Sequence, residues 1–222
     1  MIRLQELWSK LLTFDCALVF MQSPTILALS DLFAGDVLLC YSGQMNEEHI
    51  EIRGYSHVAI CLSSHRVLEA DSGGVRVSMA NNLLHSFDHI AVLRDDRLWD
   101  ASRITSLENF AKDCVGKPFD MRGMRRVPER KEAHRDDVMR EVEDYFAGMK
   151  KPRNMASFFC SQLIAESFIH VGIIDESAAV VLAPAITSPR TISEDRIYGQ
   201  FIGYLVSHAG YKVPHEDRFR CP

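Results

Sequence analysis

Short apolar runs, separated by turn residues, dominate the first half of the chain. A short run of β-prone residues bounded by Gly, Asp or Ser predicts a strand, and close spacing of such runs favours antiparallel pairing. The chain has five runs of this kind, at 37–41, 57–62, 67–70, 75–77 and 89–94. A further run at 200–207 predicts a closing strand.

The pattern takes a helical period after residue 105. The sequence Thr105-Ser106-Leu107-Glu108 has the form of a capping box, which predicts a helix that runs to about Val115 and ends at Gly116. A second helix is predicted from Ser157 as N-cap to about His170, with Gly172 as the glycine that follows it. Strands, then helices, then a strand predict an α+β fold with a mostly antiparallel sheet.

A charged segment at 121–153 separates the two predicted helices. It holds ten Lys or Arg and seven Asp or Glu residues, while its apolar residues at 138, 142, 145 and 146 follow a helical spacing. We therefore predict an exposed helix over about 132–147. A substrate-facing cap and a solvated insertion both fit this segment, and the insertion is favoured.

We expect one globular domain over residues 1–222. Residues 2–20 predict an amphipathic helix, and 1–30 as a whole are expected to form that helix and a connector. Asp15 interrupts the apolar part of this helix, and no small-residue cleavage motif follows it. A secretory signal is therefore not favoured.

Composition removes several classes of function. The net charge of −5 and the pI of about 6.0 argue against a nucleic-acid partner. No run approaches the ~18 uncharged apolar residues of a membrane span, so no stable span is expected. The six cysteines form no C-x-x-C pair and five clustered histidines match no zinc spacing, so we expect no metal and no cofactor. Reduced thiols favour the cytoplasm of the producing cell.

Cys160 is the strongest candidate for a nucleophile. With Ser157 as N-cap it lies at the third helical position, where the helix dipole stabilises a thiolate by about 0.3–1 kcal/mol. A neighbouring imidazolium lowers the pKa of a thiol further. The N–H groups of the same turn can stabilise an oxyanion. A buried structural cysteine is the alternative.

His57 and Glu69 are the candidate partners of this thiol. His57 opens the second predicted strand, and Glu69 lies in the third. In an antiparallel pair the two side chains can share a face and come within hydrogen-bond range. A carboxylate there would hold the imidazole tautomer and stabilise its charged form. Asp71 is the alternative to Glu69, and His65 is a more remote one.

Five motifs carry a family resemblance. They are Gly35-Asp36-Val37, Ser56-His57-Val58-Ala59-Ile60, Leu68-Glu69-Ala70 with Gly74-Val75, Gly116-Lys117-Pro118-Phe119-Asp120, and Phe159-Cys160-Ser161-Gln162-Leu163. Over about residues 33–206 this set resembles the permuted branch of the NlpC-type papain-like superfamily, which includes YiiX-like cysteine hydrolases and lecithin:retinol acyltransferases. That branch has the order histidine, polar residue, cysteine, which His57, Glu69 and Cys160 match.

The resemblance implies a circularly permuted papain-like fold, with the sheet packed against the helix that carries the cysteine. It also implies a Cys-His-Glu triad that hydrolyses or transfers the acyl group of an amide, ester or thioester. Tyr55, Ser161 and Phe119 are candidate substrate-binding residues. Family members often have a tyrosine where this chain has Phe119, so any role of that hydroxyl is lost here.

Three functions remain open. The resemblance favours a cell-wall peptide amidase or endopeptidase, which would act on recycled wall peptides in the cytoplasm or as a secreted antibacterial effector with a secretion or immunity partner. A lipid-directed thiol acyl hydrolase or acyltransferase is the second, suggested by Phe158, Phe159 and the apolar N-terminus. A catalytically silent papain-like binding module is the third, and the missing tyrosine at position 119 is its support.

Overall fold

The computed structural model of the protein describes residues 23–42, 54–149, 153 and 155–220. The helix predicted over 2–20 and most of the loop predicted between the first two strands lie outside the described residues.

The described residues form one six-stranded antiparallel sheet with the order β4-β3-β2-β1-β5-β6. Its strands are β1 (Val37–Tyr41), β2 (Tyr55–Cys61), β3 (Arg66–Asp71), β4 (Gly74–Met79), β5 (His89–Arg94) and β6 (Gln200–Val206). All six predicted strands are confirmed, and each observed strand overlaps the apolar run that predicted it. The α+β class and the mostly antiparallel sheet are confirmed as well.

Seven α-helices accompany the sheet in the described part of the chain. They are α1 (Ala80–Ser86), α2 (Ala101–Cys114), α3 (Met121–Arg125), α4 (Val127–Phe146), α5 (Cys160–His170), α6 (Ala178–Leu182) and α7 (Pro189–Glu194). The helices α1, α3, α6 and α7 were not predicted, because five to seven residues are too few to show a helical period. None of the helices in the described ranges is both long and apolar enough to cross a membrane.

Two apolar clusters, one on each face of the sheet, hold these elements together. The larger one packs α2 and α5 on the face that presents Leu39, Val58 and Ile60. The smaller one packs α1 on the face that presents Cys40 and Cys61. Strands that are buried on both faces lack a polar alternation, which explains why β1 and most of β2 read as continuous apolar runs.

The start of α2 corrects the capping-box prediction. The N-cap is Asp100, whose Oδ1 accepts a 2.8 Å hydrogen bond from the Arg103 amide, so Thr105 and Glu108 lie inside the helix. A carboxylate at the N-cap satisfies a free amide and also stabilises the helix dipole. The Glu108 carboxylate instead forms an ion pair with Arg66 of β3, whose Nη2 donates to both carboxylate oxygens at 2.9 Å.

The charged segment also begins its main helix earlier than predicted. Helix α4 starts at Val127 rather than near 132, with Pro128 in its first turn, where proline removes no intrahelical hydrogen bond. His134 attaches this helix to α6, because one ring nitrogen lies 3.0 Å from the Val181 carbonyl oxygen and the other 2.8 Å from Glu141. Helix α4 therefore packs beside α6 and leaves most of its charged side chains at the surface.

Candidate active site

Cys160 is the first residue of α5. The N-cap is Phe159, in an extended conformation and without a side-chain capping bond, so the prediction that placed Ser157 at the N-cap and Cys160 at the third helical position is wrong. The approach to the helix is extended because Phe158 pairs with the 118–120 segment, through Phe158 N to Pro118 O at 3.1 Å and Asp120 N to Phe158 O at 2.9 Å. Pairing with this segment delays the helical turn by two residues.

Backbone amides and an imidazole surround the Cys160 thiol. The backbone N–H groups of Val58 and Ser161 and the His57 imidazole each stabilise the Cys160 thiolate and lower the pKa of the thiol. The Cys160 residue is 6% exposed. The thiol is therefore buried in a polar environment at the N-terminus of a helix, where a negative charge is stabilised.

His57 lies on β2, close to a shift in the β1–β2 register between Cys40 and Tyr41. Its Nε2 atom lies 2.9 Å from Oε2 of Glu69, which leaves Nδ1 as the ring nitrogen for Cys160. The Phe87 ring stacks on the imidazole at 5.5 Å with an interplanar angle of 2°. The carboxylate and the phenyl ring together restrict both the tilt and the rotation of the imidazole.

Glu69 reaches His57 through the strand register. It pairs directly with Ala59, so it is the diagonal neighbour of His57 on the same face, which the sequence predicted from the two strands. The second carboxylate oxygen, Oε1, accepts hydrogen bonds from Arg76 Nε at 3.0 Å and Ser78 Oγ at 2.9 Å. With its side chain only 2% exposed, Glu69 is a buried carboxylate with three donors.

The two alternatives to Glu69 lie elsewhere. Asp71 contacts the far side of Arg76, with its Oδ2 2.6 Å from Nη2. His65 lies in the turn between β2 and β3, at the opposite end of these strands from His57. In the described part of the chain, Glu69 is thus the carboxylate that the structure brings to the imidazole.

The proton affinities of the three groups are coupled. Burial alone would lower the pKa of His57, but the hydrogen bonds and charges of Cys160 and Glu69 outweigh it and raise that pKa to about 9. Burial would raise the pKa of Glu69, but the bonds from His57, Ser78 and Arg76 lower it to about 2. Burial would likewise raise the pKa of Cys160, yet His57 and the two backbone amides lower it below its ordinary value. The imidazolium of His57 is stabilised by both the Glu69 carboxylate and the Cys160 thiolate, and it stabilises each of them in turn.

The predicted substrate-binding residues are engaged in other contacts. The Tyr55 hydroxyl is buried and donates to Asp217 Oδ2 at 2.8 Å. The Ser161 hydroxyl is buried and donates to the Thr187 carbonyl at 2.8 Å. Phe119 packs against the larger apolar cluster beside Phe158. These contacts give each side chain a structural role, and their binding roles stay predictions.

Sequence reasoning missed three residues that surround His57 and Glu69. Arg76 and Ser78 are alternate residues of β4 and contact the same oxygen of Glu69, so the period of two in a strand was the available signal. Phe87 follows the unpredicted helix α1, and nothing in the sequence indicates that its ring meets His57.

A cavity of about 820 Å³ lies along another side of α5. It is bounded by α4, by Gln162 and Glu166 of α5, and by the segment that contains α6; the catalytic candidates are not among its described lining residues. The charged lining comprises the carboxylates of Asp120, Glu141, Asp144, Glu166 and Glu176 and the guanidinium groups of Arg130 and Arg153. Glu166 is buried and lies 3.1 Å from Arg153. Within the described ranges, no group of three or more His, Cys, Asp or Glu side chains is arranged to hold a metal ion.

Comparison with known proteins bears on the class of enzyme. Residues 31–130 match the family described as permuted papain-like amidase enzymes, YaeF/YiiX, C92 family. The matched region contains His57 and Glu69 and ends before Cys160. This match confirms the resemblance to the permuted papain-like branch, and it supports a papain-like cysteine hydrolase of the amidase or peptidase kind.

One solved structure is similar at low identity. It is described as the metalloprotein yiiX from Escherichia coli O157:H7; the alignment covers 78% of this chain and 87% of that one, at 13% identity and a TM-score of 0.42. No curated protein matches the chain.

Proposed function

We propose that Cys160, His57 and Glu69 form a catalytic triad and that the protein cleaves amide bonds of cell-wall peptides. The premise is that this chain resembles the permuted papain-like amidases and is a cysteine hydrolase of that kind. One observation carries the proposal. The Cys160 thiol interacts with the His57 imidazole, whose Nε2 lies 2.9 Å from a buried carboxylate. A nucleophile, a base and an orienting group are thus neighbours in space, in that order.

The geometry supports the following reaction. The thiol proton passes to Nδ1 of His57, and Glu69 stabilises the imidazolium through Nε2. The thiolate of Cys160 attacks the amide carbon, and the resulting tetrahedral intermediate collapses when His57 gives its proton to the leaving amine. A water molecule then loses a proton to His57, attacks the thioester and releases the acid and the free thiol.

The first turn of α5 supplies donors for the oxyanion. The Leu163 amide donates to Phe159 O, the N-cap carbonyl, so the Ser161 amide lies in the first turn, ahead of the helical hydrogen-bond ladder. The Ser161 amide already faces the sulfur, and the attacked carbonyl must lie beside that sulfur. Amides aimed at the developing charge are worth roughly 2.7–4 kcal/mol each in comparable sites.

The cavity beside α5 is not lined by the triad in the described part of the chain, but its charges favour a peptide over a lipid as the part of the substrate that binds there. Among its described lining residues are five carboxylates and two guanidinium groups, along with Tyr145 and two methionines. A fatty acyl chain bound there would desolvate these charges, which is costly. A wall peptide carries both free carboxylates and free amines, and these groups can pair with both kinds of charge. Delivery as an antibacterial effector, with a secretion or immunity partner, stays a prediction.

Two measurements test the proposal. The first compares the iodoacetamide alkylation of each cysteine in the wild type and in His57→Ala by peptide mass spectrometry. We expect Cys160 to react much faster than the other cysteines near neutral pH and to lose that advantage in the variant. Equal rates in both proteins would remove the basis for the triad.

The second measurement identifies the bond that is cleaved. The wild type and Cys160→Ala are incubated with purified peptidoglycan and, separately, with phosphatidylcholine vesicles, and new amines and free fatty acids are quantified. We expect amines from peptidoglycan with the wild type only. Fatty acid release that depends on Cys160, without release of amines, would favour the lipid alternative and refute the wall-peptide substrate.

A further inference from the structure

We propose that Arg76, itself held by Asp71, is a positioning residue that acts on His57 through Glu69. This inference rests on the proposed triad and names a group that extends it. Arg76 does not contact the imidazole or the thiol in the contacts described above, so its effect must pass through the Glu69 carboxylate.

The two oxygens of Glu69 have separate tasks. Oε2 meets His57 Nε2 at 2.9 Å, whereas Oε1 accepts both Arg76 Nε at 3.0 Å and Ser78 Oγ at 2.9 Å. Two donors on Oε1 prevent the carboxylate from rotating about its last bond. The lone pairs of Oε2 therefore stay directed at the imidazole, and this direction sets how well the imidazolium is stabilised.

The sheet register places the guanidinium. Arg76 of β4 is directly opposite Glu69 of β3, and Asp71 lies at the end of the same pair of strands, opposite Gly74. The other arm of the guanidinium, Nη2, lies 2.6 Å from Asp71 Oδ2. The result is a line of alternating charges in the order Asp71, Arg76, Glu69, His57 and Cys160 when the thiol is ionised. Each charge in the line has an opposite neighbour.

The exposure of Arg76 allows its positioning role to be measured separately from its contribution to folding stability. The Arg76 side chain is 54% exposed, whereas that of Glu69 is 2% exposed. An ion pair on a half-exposed arginine adds little to folding stability. The same contact has a large effect on the orientation of the buried Glu69 carboxylate, because few other donors can replace Arg76 there. Among the described residues, other titratable groups that interact with Glu69 are His57 and the Cys40 thiol of β1, on the same face of the sheet.

The test measures the pH dependence of Cys160 alkylation in Arg76→Met. We expect the acid limb of the profile to move to higher pH and the rate at pH 6 to fall about tenfold, on the order of losses seen when outer partners of an active-site ligand are removed. Arg76→Lys should recover part of the rate, since it keeps a positive charge but loses the two-armed contact.

Arg66→Met is the matched control. Arg66 lies on the neighbouring strand β3, its side chain is 39% exposed, and its Nη2 forms an ion pair with Glu108 that does not involve the triad. We expect its alkylation profile to equal that of the wild type. Both variants are also unfolded in urea, so that any loss of stability is measured separately. Ser78→Ala, which removes the second donor to Oε1, should move the acid limb in the same direction.

The outcomes separate this inference from the proposed function. An unchanged profile in both Arg76→Met and Ser78→Ala, with a shifted profile in His57→Ala, would overturn the positioning role and leave the triad intact. Equal shifts in Arg76→Met and Arg66→Met would overturn it too, because the effect would then be one of general stability. A wild type whose Cys160 reacts no faster than in His57→Ala would refute the triad itself.

Discussion

Replacing Glu69 by Gln isolates the role of the carboxylate charge. Glutamine keeps the length of the side chain and one oxygen that can accept from His57 Nε2. The variant therefore removes the negative charge from the 2.9 Å contact without opening a cavity. Because Glu69 lies in β3 with its side chain 2% exposed, solvent does not replace the lost charge.

The structure sets the size of the effect. A hydrogen bond to a charged partner contributes about 1.5–3 kcal/mol. At about 1.4 kcal/mol for each tenfold change in a proton equilibrium, this loss corresponds to about one to two pH units. The imidazolium is the form that Glu69 stabilises, and the imidazolium in turn lowers the pKa of Cys160. Removal of the charge should therefore raise the pH at which Cys160 loses its proton.

The assay is the alkylation of Cys160 by iodoacetamide between pH 4 and 9, quantified by peptide mass spectrometry. We expect the midpoint of the acid limb in Glu69→Gln to lie about one to two pH units above that of the wild type. Glu108→Gln is the control, because Glu108 is a partly buried carboxylate that binds Arg66 and the Ser63 amide, away from the thiol. Its profile should match that of the wild type.

One result would refute this reasoning. If Glu69→Gln leaves the midpoint in place while His57→Ala moves it, then the imidazole activates the thiol without help from the carboxylate. A shift of equal size in Glu108→Gln would point instead to a general loss of charge or stability, and the Glu69 contact would have no special role.

Three further predictions concern stability. Asp217→Asn should lower the free energy of unfolding, measured in urea, by about 3 kcal/mol, because a buried carboxylate that accepts several hydrogen bonds is lost. The control Asp96→Asn changes an exposed side chain and should lower it by less than about 0.5 kcal/mol. Phe110→Ala should cost about 3–5 kcal/mol, since the ring is 2% exposed in the larger cluster; a loss below 1 kcal/mol would contradict this packing. The difference in unfolding free energy between the wild type and His57→Ala should be largest between about pH 4.5 and 6.5 and should shrink on both sides. The pKa of Glu69 falls from 4.5 to about 2 on folding, so the stability that Glu69 contributes is lost as the pH falls. The pKa of His57 rises from 6.5 to about 9, so the stability that His57 contributes is lost as the pH rises. A difference that stays constant from pH 3 to 9 would contradict the coupling.

The strands and the identity of the site were readable from the sequence because both depend on local patterns. A buried strand needs several adjacent apolar residues, so β1, β2 and β5 could be predicted from apolar runs. The motif around Cys160 and the histidine near the start of β2 could also be recognised, since a nucleophile and its base require particular residue types. Even the pairing of His57 with Glu69 followed from two neighbouring strands.

Helix boundaries were decided by tertiary contacts. The box at Thr105–Glu108 satisfies the local rule for an N-terminus, yet Asp100 caps α2 and Glu108 binds Arg66. At Cys160, pairing of Phe158 with the 118–120 segment holds the chain extended past Ser157. In both cases a partner that is distant in sequence outweighed a local preference of about 1 kcal/mol.

The contacts around His57 and Glu69 were also decided by the tertiary structure. Arg76 and Phe87 reach the Glu69–His57 pair from β4 and from the end of α1, and no local pattern says which buried group an exposed arginine or a phenylalanine will meet. The sequence by itself determined the strands, the fold class and the three candidate catalytic residues, because periodicity and residue chemistry are local. Only the tertiary structure decided where α5 begins, which oxygen of Glu69 faces the imidazole and what holds the other, because these depend on the register and packing of segments far apart in the chain.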